Sequence, residues 1–92
     1  MRRRAYEIAW SPTARRDLRR LPEKIAAAAV EFLYGAVADN PQRVATPLKL
    51  GLEGLCSARR GDHRILYSID EEARVVHVVT IEHRSDVYRR RQ

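Results

Sequence analysis

The hydrophobic pattern of the first half of the chain predicts one strand and two helices. Alternation over residues 5–10 is typical of a short strand. Ser11 and Pro12 then match a helix N-cap followed by a first-turn proline, so a short amphipathic helix is expected to begin there. A second helix is predicted from Ile25 to Ala36, because apolar residues recur at helical spacing between them.

The second half of the chain changes to a strand pattern. The segments "LCSARR", "RILYSI" and "RVVHVVTIE" are separated by short turns, and such turns join antiparallel strands. The third segment is so rich in β-branched residues that we expect it to be covered on both faces. Residues 42–54 have no clear period and are predicted to form a loop with one turn of structure.

Together these elements predict one domain of the α+β class over residues 1–92. A small twisted antiparallel sheet of about four strands is expected to carry an N-terminal two-helix hairpin on one face. The first strand is free to join the three strands of the second half. The other face of the sheet then determines what the protein can bind.

Cations collect on that other face. Alternate side chains of the middle predicted strand point to opposite faces, so Arg64 lies on the face that the helices leave uncovered. The tight turn before this strand brings Arg59 or Arg60 close beside it. The last strand is expected to place His83 and Arg84, at its end, near these arginines.

Composition supports an anionic ligand. The chain has 92 residues and a formal net charge of +6, and all but two of its 18 basic residues are arginines. The planar guanidinium can bind phosphate through two hydrogen bonds, so the arginine-rich basic composition favours a nucleic-acid ligand. The alternative explanation of the same bias is a GC-rich genome that encodes arginine in place of lysine.

Few other chemistries fit the sequence. The single cysteine, Cys56, cannot form an internal disulfide, and no Cys and His cluster has metal-ligand spacing. The chain has no uninterrupted apolar stretch of the kind found in signal peptides or membrane spans. We therefore expect a cytoplasmic protein that uses no metal or other cofactor and does not associate with membranes.

Two motifs in register carry a family resemblance. "ARRGDHRILY" is followed, after one strand, by "HRSDVYRR", and both stand behind the predicted helical hairpin. In this order the chain resembles the RelE/ParE superfamily of toxins from bacterial type II toxin–antitoxin systems, and within it the RelE-type branch of actinobacteria. The resemblance extends from Tyr6 to Arg90. It implies a RelE-like fold, similar to microbial ribonucleases, with a short C-terminal helix.

The resemblance also implies an activity and partners. RelE-type toxins are metal-independent endoribonucleases that cut mRNA in the ribosomal A site and thereby inhibit translation. The ribose 2′-hydroxyl attacks the adjacent phosphate, so the enzyme must supply a base, an acid and cations for the transition state. The implied partners are the ribosome, mRNA and a cognate acidic, RelB-like antitoxin that silences the toxin.

Site residues carry over from the matching motifs. Arg64 corresponds to a phosphate clamp, and Arg84 to a second phosphate contact or an electrostatic partner of the acid. Tyr88 corresponds to a tyrosine that stacks on or activates the nucleotide. Since an arginine cannot act as a base at neutral pH, Tyr88 is the preferred base and His83 the second candidate. The predicted catalytic set is Arg64, Arg84, Tyr88 and His83, and the predicted RNA-binding set is Arg59, Arg60, His63, Arg89 and Arg90.

Alternatives remain at this point. Without the resemblance, Arg64 would more simply be a cross-strand partner of Asp62, Glu82 or Glu53. A ParE-type toxin on the same scaffold would poison DNA gyrase without catalysis. A third possibility is a ribosome binder that blocks translation without cutting. Retention of both arginines and the tyrosine favours cleavage.

Overall fold

The computed structural model describes residues 5–48 and 54–83. The helices are α1 and α2, and α2 continues into a π-helical turn. The strands are β1 to β5 in chain order. In sequence the elements are β1 (Glu7–Trp10), α1 (Pro12–Arg20), α2 (Glu23–Phe32), the π-helical turn (Leu33–Val37), β2 (Thr46–Pro47), β3 (Cys56–Arg60), β4 (His63–Asp70) and β5 (Val75–His83).

Both helices form where the sequence predicts them. The Ser11 hydroxyl accepts a hydrogen bond from the Ala14 amide at 2.9 Å, which caps α1 directly before Pro12. In α2 and the turn that extends it, Ala29, Leu33 and Val37 are four residues apart and buried in the core. No helix within the described ranges is long and apolar enough to cross a membrane.

Within residues 5–48 and 54–83 the sheet has five strands and is mixed, where about four antiparallel strands were predicted. Its order is β1-β5-β4-β3-β2, and β1 runs parallel to β5 while the other pairs are antiparallel. The added strand is β2, a two-residue strand inside the predicted loop that is too short to show a period. Pro47 lies on this edge strand, where a residue that cannot donate a ladder hydrogen bond is tolerated.

The core lies between the helices and one face of the sheet, which we call the inner face. Ile65 and Tyr67 of β4 are fully buried there, as the alternation predicts. In β5, Val76 and Val78 are buried but His77 between them is exposed. The prediction that β5 is covered on both faces was therefore wrong, because β-branched residues suit a half-covered strand equally well.

Candidate functional site

A two-residue turn sets the register at one end of the sheet. Gly61 begins this turn with a φ of +65°, a backbone conformation that suits glycine because it has no Cβ. The register then pairs Arg59 with Arg64, and Arg60 with His63. Since paired residues share a face, the two neighbouring arginines of β3 point to opposite sides of the sheet.

One side of this end carries an ion pair. We call it the outer face and define it by Arg59, Arg64, Leu66, Thr80 and Glu82, whose cross-strand pairs alternate with those of the core. The Arg64 guanidinium donates from Nη2 to Glu82 Oε1 at 3.0 Å. The Arg64 side chain keeps 37 % of its surface exposed, whereas Glu82 keeps only 11 %. Glu82 is thus the cross-strand partner among the three acids that the sequence suggests.

This arrangement leaves the outer face cationic. Arg59 is exposed directly opposite Arg64, and two like charges in this position repel unless an anion joins them. Glu82 neutralises one of the two. The Arg64 Nε–H is buried and has no acceptor within residues 5–48 and 54–83. The outer face can therefore attract a further anion.

The inner face at the same end carries a different cluster. The rings of His63 and His83 meet edge to face with centroids 4.8 Å apart. They line a groove of about 360 Å³ between β4, β5 and the start of α2, together with Lys24, Arg60 and Asp62. Their side chains are consequently on the opposite side of the sheet from the Arg64 guanidinium.

The structure thus divides the predicted site residues. It brings Arg59 and Arg64 together on the outer face, and it gathers Arg60, His63 and His83 on the inner face. The remaining predicted residues lie outside the described part of the chain: Arg84, Tyr88, Arg89 and Arg90.

Two acidic residues at this end of the sheet have structural roles that the two sequence motifs did not predict. Glu82 was named only as one candidate partner of Arg64, and its place opposite Arg64 follows from the register of β4 and β5. Asp17 of α1 accepts hydrogen bonds from the Thr80 hydroxyl and the Ile81 amide of β5. The role of Asp17 could not be predicted from a local sequence pattern, because its hydrogen-bond partners are more than 60 residues away.

The described part of the chain offers neither a metal-binding cluster nor a reactive cysteine. Within residues 5–48 and 54–83, no group of three or more His, Cys, Asp or Glu side chains could hold a metal ion. Cys56 is half-buried, and this burial raises the pKa of its thiol. A thiol with a raised pKa is a poor nucleophile at neutral pH.

Comparison with known proteins identifies the class. A family model described as the ParE toxin of type II toxin–antitoxin systems matches residues 8–88. The chain therefore belongs to the RelE/ParE superfamily of type II toxin–antitoxin toxins, as the two motifs indicated.

Its curated relatives belong to the RelE type. The chain is 54 % identical over 84 residues to the toxin RelE of Mycobacterium tuberculosis, which covers 91 % of this chain and 87 % of that protein. It is 48 % identical over 85 residues to the toxin RelG of the same organism, covering 92 % and 98 %. The chain is therefore a toxin of RelE type.

Solved structures agree with the fold. A chain of the RelBE2 toxin–antitoxin complex of M. tuberculosis matches with a TM-score of 0.85 and 45 % identity, covering 92 % of this chain and 98 % of that one. The isolated RelE toxin of E. coli matches with a TM-score of 0.73 at 20 % identity, covering 96 % and 100 %. The second match supports the fold alone.

Proposed function

We propose that this toxin is a ribosome-dependent endoribonuclease that cleaves mRNA in the A site and inhibits translation. One observation carries the proposal: Arg64, the residue that matches the family's phosphate clamp, shares the outer face with a second exposed arginine, Arg59. The close relatives named RelE and RelG support the same activity.

The cationic pair suits the charge that develops during RNA cleavage. When the 2′-hydroxyl attacks the adjacent phosphate, the phosphorus gains a fifth oxygen and its oxygens gain negative charge. The bond from phosphorus to the 5′ oxygen then breaks, and the products are a cyclic phosphate and a 5′-hydroxyl that has taken up a proton. Preorganised cations next to those oxygens stabilise the transition state more than the ground state. Arg64 is held by Glu82 and partly exposed, so it can present N–H donors without having to order itself first.

The removal of the 2′-hydroxyl proton is assigned to another residue. We take Tyr88 as the base that accepts the 2′-hydroxyl proton and Arg84 as the second phosphate contact, on the strength of the motif that contains them. His83 is the weaker candidate for the base, because its ring packs against His63 on the inner face while Arg64 lies on the outer face. The roles assigned to these side chains require no metal ion.

The proposal includes a protein partner. The RelBE2 structure is a toxin–antitoxin complex, and this chain matches its toxin-like fold over nearly the full length. We propose a RelB-like acidic antitoxin as the cognate partner here. The formal net charge of +6 would accelerate association with an acidic protein.

Mapping of 5′ ends on translated mRNA tests the proposed activity. After induction of the toxin in a bacterial host, cuts are expected at A-site codons of translated transcripts and not on the same transcript with its start codon removed. Arg64→Ala is expected to reduce cleavage by about 10² to 10³-fold, the usual cost of removing one transition-state contact. Arg16→Ala, which removes an exposed arginine of α1, is the charge-matched control and should cleave normally.

Three further results would redirect the proposal. Near-normal cleavage by Tyr88→Phe, which keeps the ring but removes the hydroxyl, would exclude the phenol as base and favour His83. Intact transcripts accompanied by a loss of DNA supercoiling would replace the nuclease with a gyrase poison. Intact transcripts with stalled ribosomes would instead indicate a non-cleaving blocker of translation.

A further inference from the structure

Strand β5 contains one more residue than its partner needs. From Asp70–Val75 to Tyr67–Val78 the pairing with β4 is regular, but Leu66 then pairs with Thr80 and not with Val79. Val79 is therefore an extra residue in a β-bulge, and it is exposed.

The bulge decides which side chains of β5 reach the outer face. A strand alternates its side chains strictly, so an extra residue inverts the faces of everything that follows it. Val78 and Ile81 are both buried on the inner face although they are three positions apart. Without the bulge, Glu82 would point to the inner face, and Arg64 would lose its partner. The Arg64–Glu82 pair thus depends on Val79 staying bulged.

Ser11 binds the first half of the bulge. The partner strand β1 ends at Trp10, which is paired with Val78, so the following part of β5 has no neighbouring strand on that edge. Ser11 takes over directly: its amide donates to the Val78 carbonyl at 3.0 Å, and its hydroxyl donates to the Val79 carbonyl at 2.7 Å. The same hydroxyl caps α1, so the start of the helix and the bulge share one side chain.

Asp17 binds the second half of the bulge from the next turn of α1. Its Oδ2 accepts from the Thr80 hydroxyl at 2.6 Å and from the Ile81 amide at 3.0 Å. Hydrogen bonds to a carboxylate are stronger than those between neutral groups, and these are partly buried. Ser11 and Asp17 together bind each of the four residues 78–81.

We propose that Ser11 and Asp17 are positioning residues that hold the Val79 bulge and thereby keep Glu82 against Arg64. They touch neither RNA nor the reacting atoms, and they act through the register of β5. The effect on the register stands on the geometry alone. The effect on cleavage rests on the proposed function.

The first measurement needs no RNA. In NMR spectra of the full chain, cross-strand contacts between Arg64 and Glu82 report the bulged register, and amide exchange reports the Ile81 hydrogen bond. Asp17→Ala is expected to weaken those contacts and to lose Ile81 protection. Asp17→Asn keeps a side-chain oxygen that can accept both bonds, so it should preserve the register. Asp39→Ala, the loss of an exposed aspartate, is the matched control and should leave both signals unchanged.

Thr80→Val provides a milder variant in case Asp17→Ala fails to fold. It removes one of the two bonds to Asp17 while keeping the carboxylate and the shape of the side chain. The same signals should weaken in the same direction but to a smaller extent. Unchanged Arg64–Glu82 contacts in both Thr80→Val and Asp17→Ala would overturn the proposal.

A rescue separates positioning from general stabilisation. Deleting Val79 removes the extra residue, so Glu82 faces Arg64 in a regular strand and no bulge needs to be held. In the Asp17→Ala background this deletion should restore the Arg64–Glu82 contacts. If Asp17 merely stabilises the fold, the deletion will not restore them.

Cleavage provides the second readout. Misplacing a contact by about 1 Å can cost about 10²-fold in rate, so a loss of that order in kcat is expected for Asp17→Ala, with KM little changed. Asp17→Asn and the Val79 deletion should both recover cleavage. If the wild-type chain does not cleave mRNA, the proposed function fails while the NMR result still decides the role of Asp17. If Asp17→Ala cleaves normally and keeps its register, the positioning role is wrong.

Discussion

The two faces of the sheet use the same strands for different purposes. Along β4, Ile65 and Tyr67 are fully buried on the inner face, whereas Arg64 and Leu66, which directly precede them, face outwards and are only partly covered. Core packing is therefore concentrated at alternate positions of the strand, and the partly exposed side chains, Arg64 among them, occupy the other positions. Substitutions at neighbouring residues should consequently have effects of different kinds.

The largest effect on stability is expected from truncation on the inner face. Ile65→Ala removes a fully buried side chain from the core and leaves a cavity, at a cost of about 2–5 kcal/mol. Leu66→Ala, one residue further on the outer face, should cost about 1 kcal/mol because its side chain is only half-buried. Urea denaturation of both variants measures the difference. Equal losses would contradict the division between the two faces.

A smaller effect is expected from a buried hydroxyl group on the inner face. The Tyr67 hydroxyl donates to the Pro41 carbonyl at 2.8 Å in a buried position. Tyr67→Phe keeps the ring but leaves that carbonyl without this donor, at a cost of about 1–3 kcal/mol. The free energy of unfolding in urea at pH 7 measures this cost. An unchanged value would mean that the Pro41 carbonyl finds another donor.

The same hydroxyl makes stability depend on alkaline pH. Burial, and then the neighbouring Cys56, raises the pKa of Tyr67 from 10.0 to about 12. The unfolded chain releases this proton near pH 10 and the folded chain near pH 12, so the folded state binds more protons in between. The contribution to stability is complete below pH 10 and is lost as pH rises through 12. The difference between wild type and Tyr67→Phe should therefore shrink over this interval.

Local patterns predicted the parts of the fold that local interactions determine. The cap at Ser11, the spacing of α2 and the turn at Gly61 each depend on residues a few positions apart, and all of them form as expected. The turn also predicted that a β3 arginine lies beside Arg64, and the register identifies it as Arg59.

The features that the sequence did not predict all depend on distant residues. The parallel pairing of β1 with β5 joins the two ends of the described chain, so no local period reports it. The Val79 bulge is hidden in a run of β-branched residues, each of which suits a strand in either register. For the same reason the inner-face position of His83, which depends on that bulge, could not be inferred from alternation.

The smallest expected effect distinguishes the two neighbouring arginines of β3. Both were predicted to bind RNA, but Arg59 lies beside Arg64 on the outer face and Arg60 beside the His63–His83 groove on the inner face. If the outer face binds the phosphates, Arg59→Ala should weaken RNA binding and reduce the slope of log K against log salt by about 0.7, the value for one lost contact to a single strand.

Arg60→Ala removes the same charge from the other face and should leave that slope nearly unchanged, as should Arg16→Ala on α1. Binding of a short single-stranded RNA across a salt series measures all three slopes. Equal reductions for Arg59→Ala and Arg60→Ala would mean that RNA passes around the turn at Gly61 and contacts both faces. A reduction for Arg60→Ala alone would move the binding surface to the groove that His63 and His83 line.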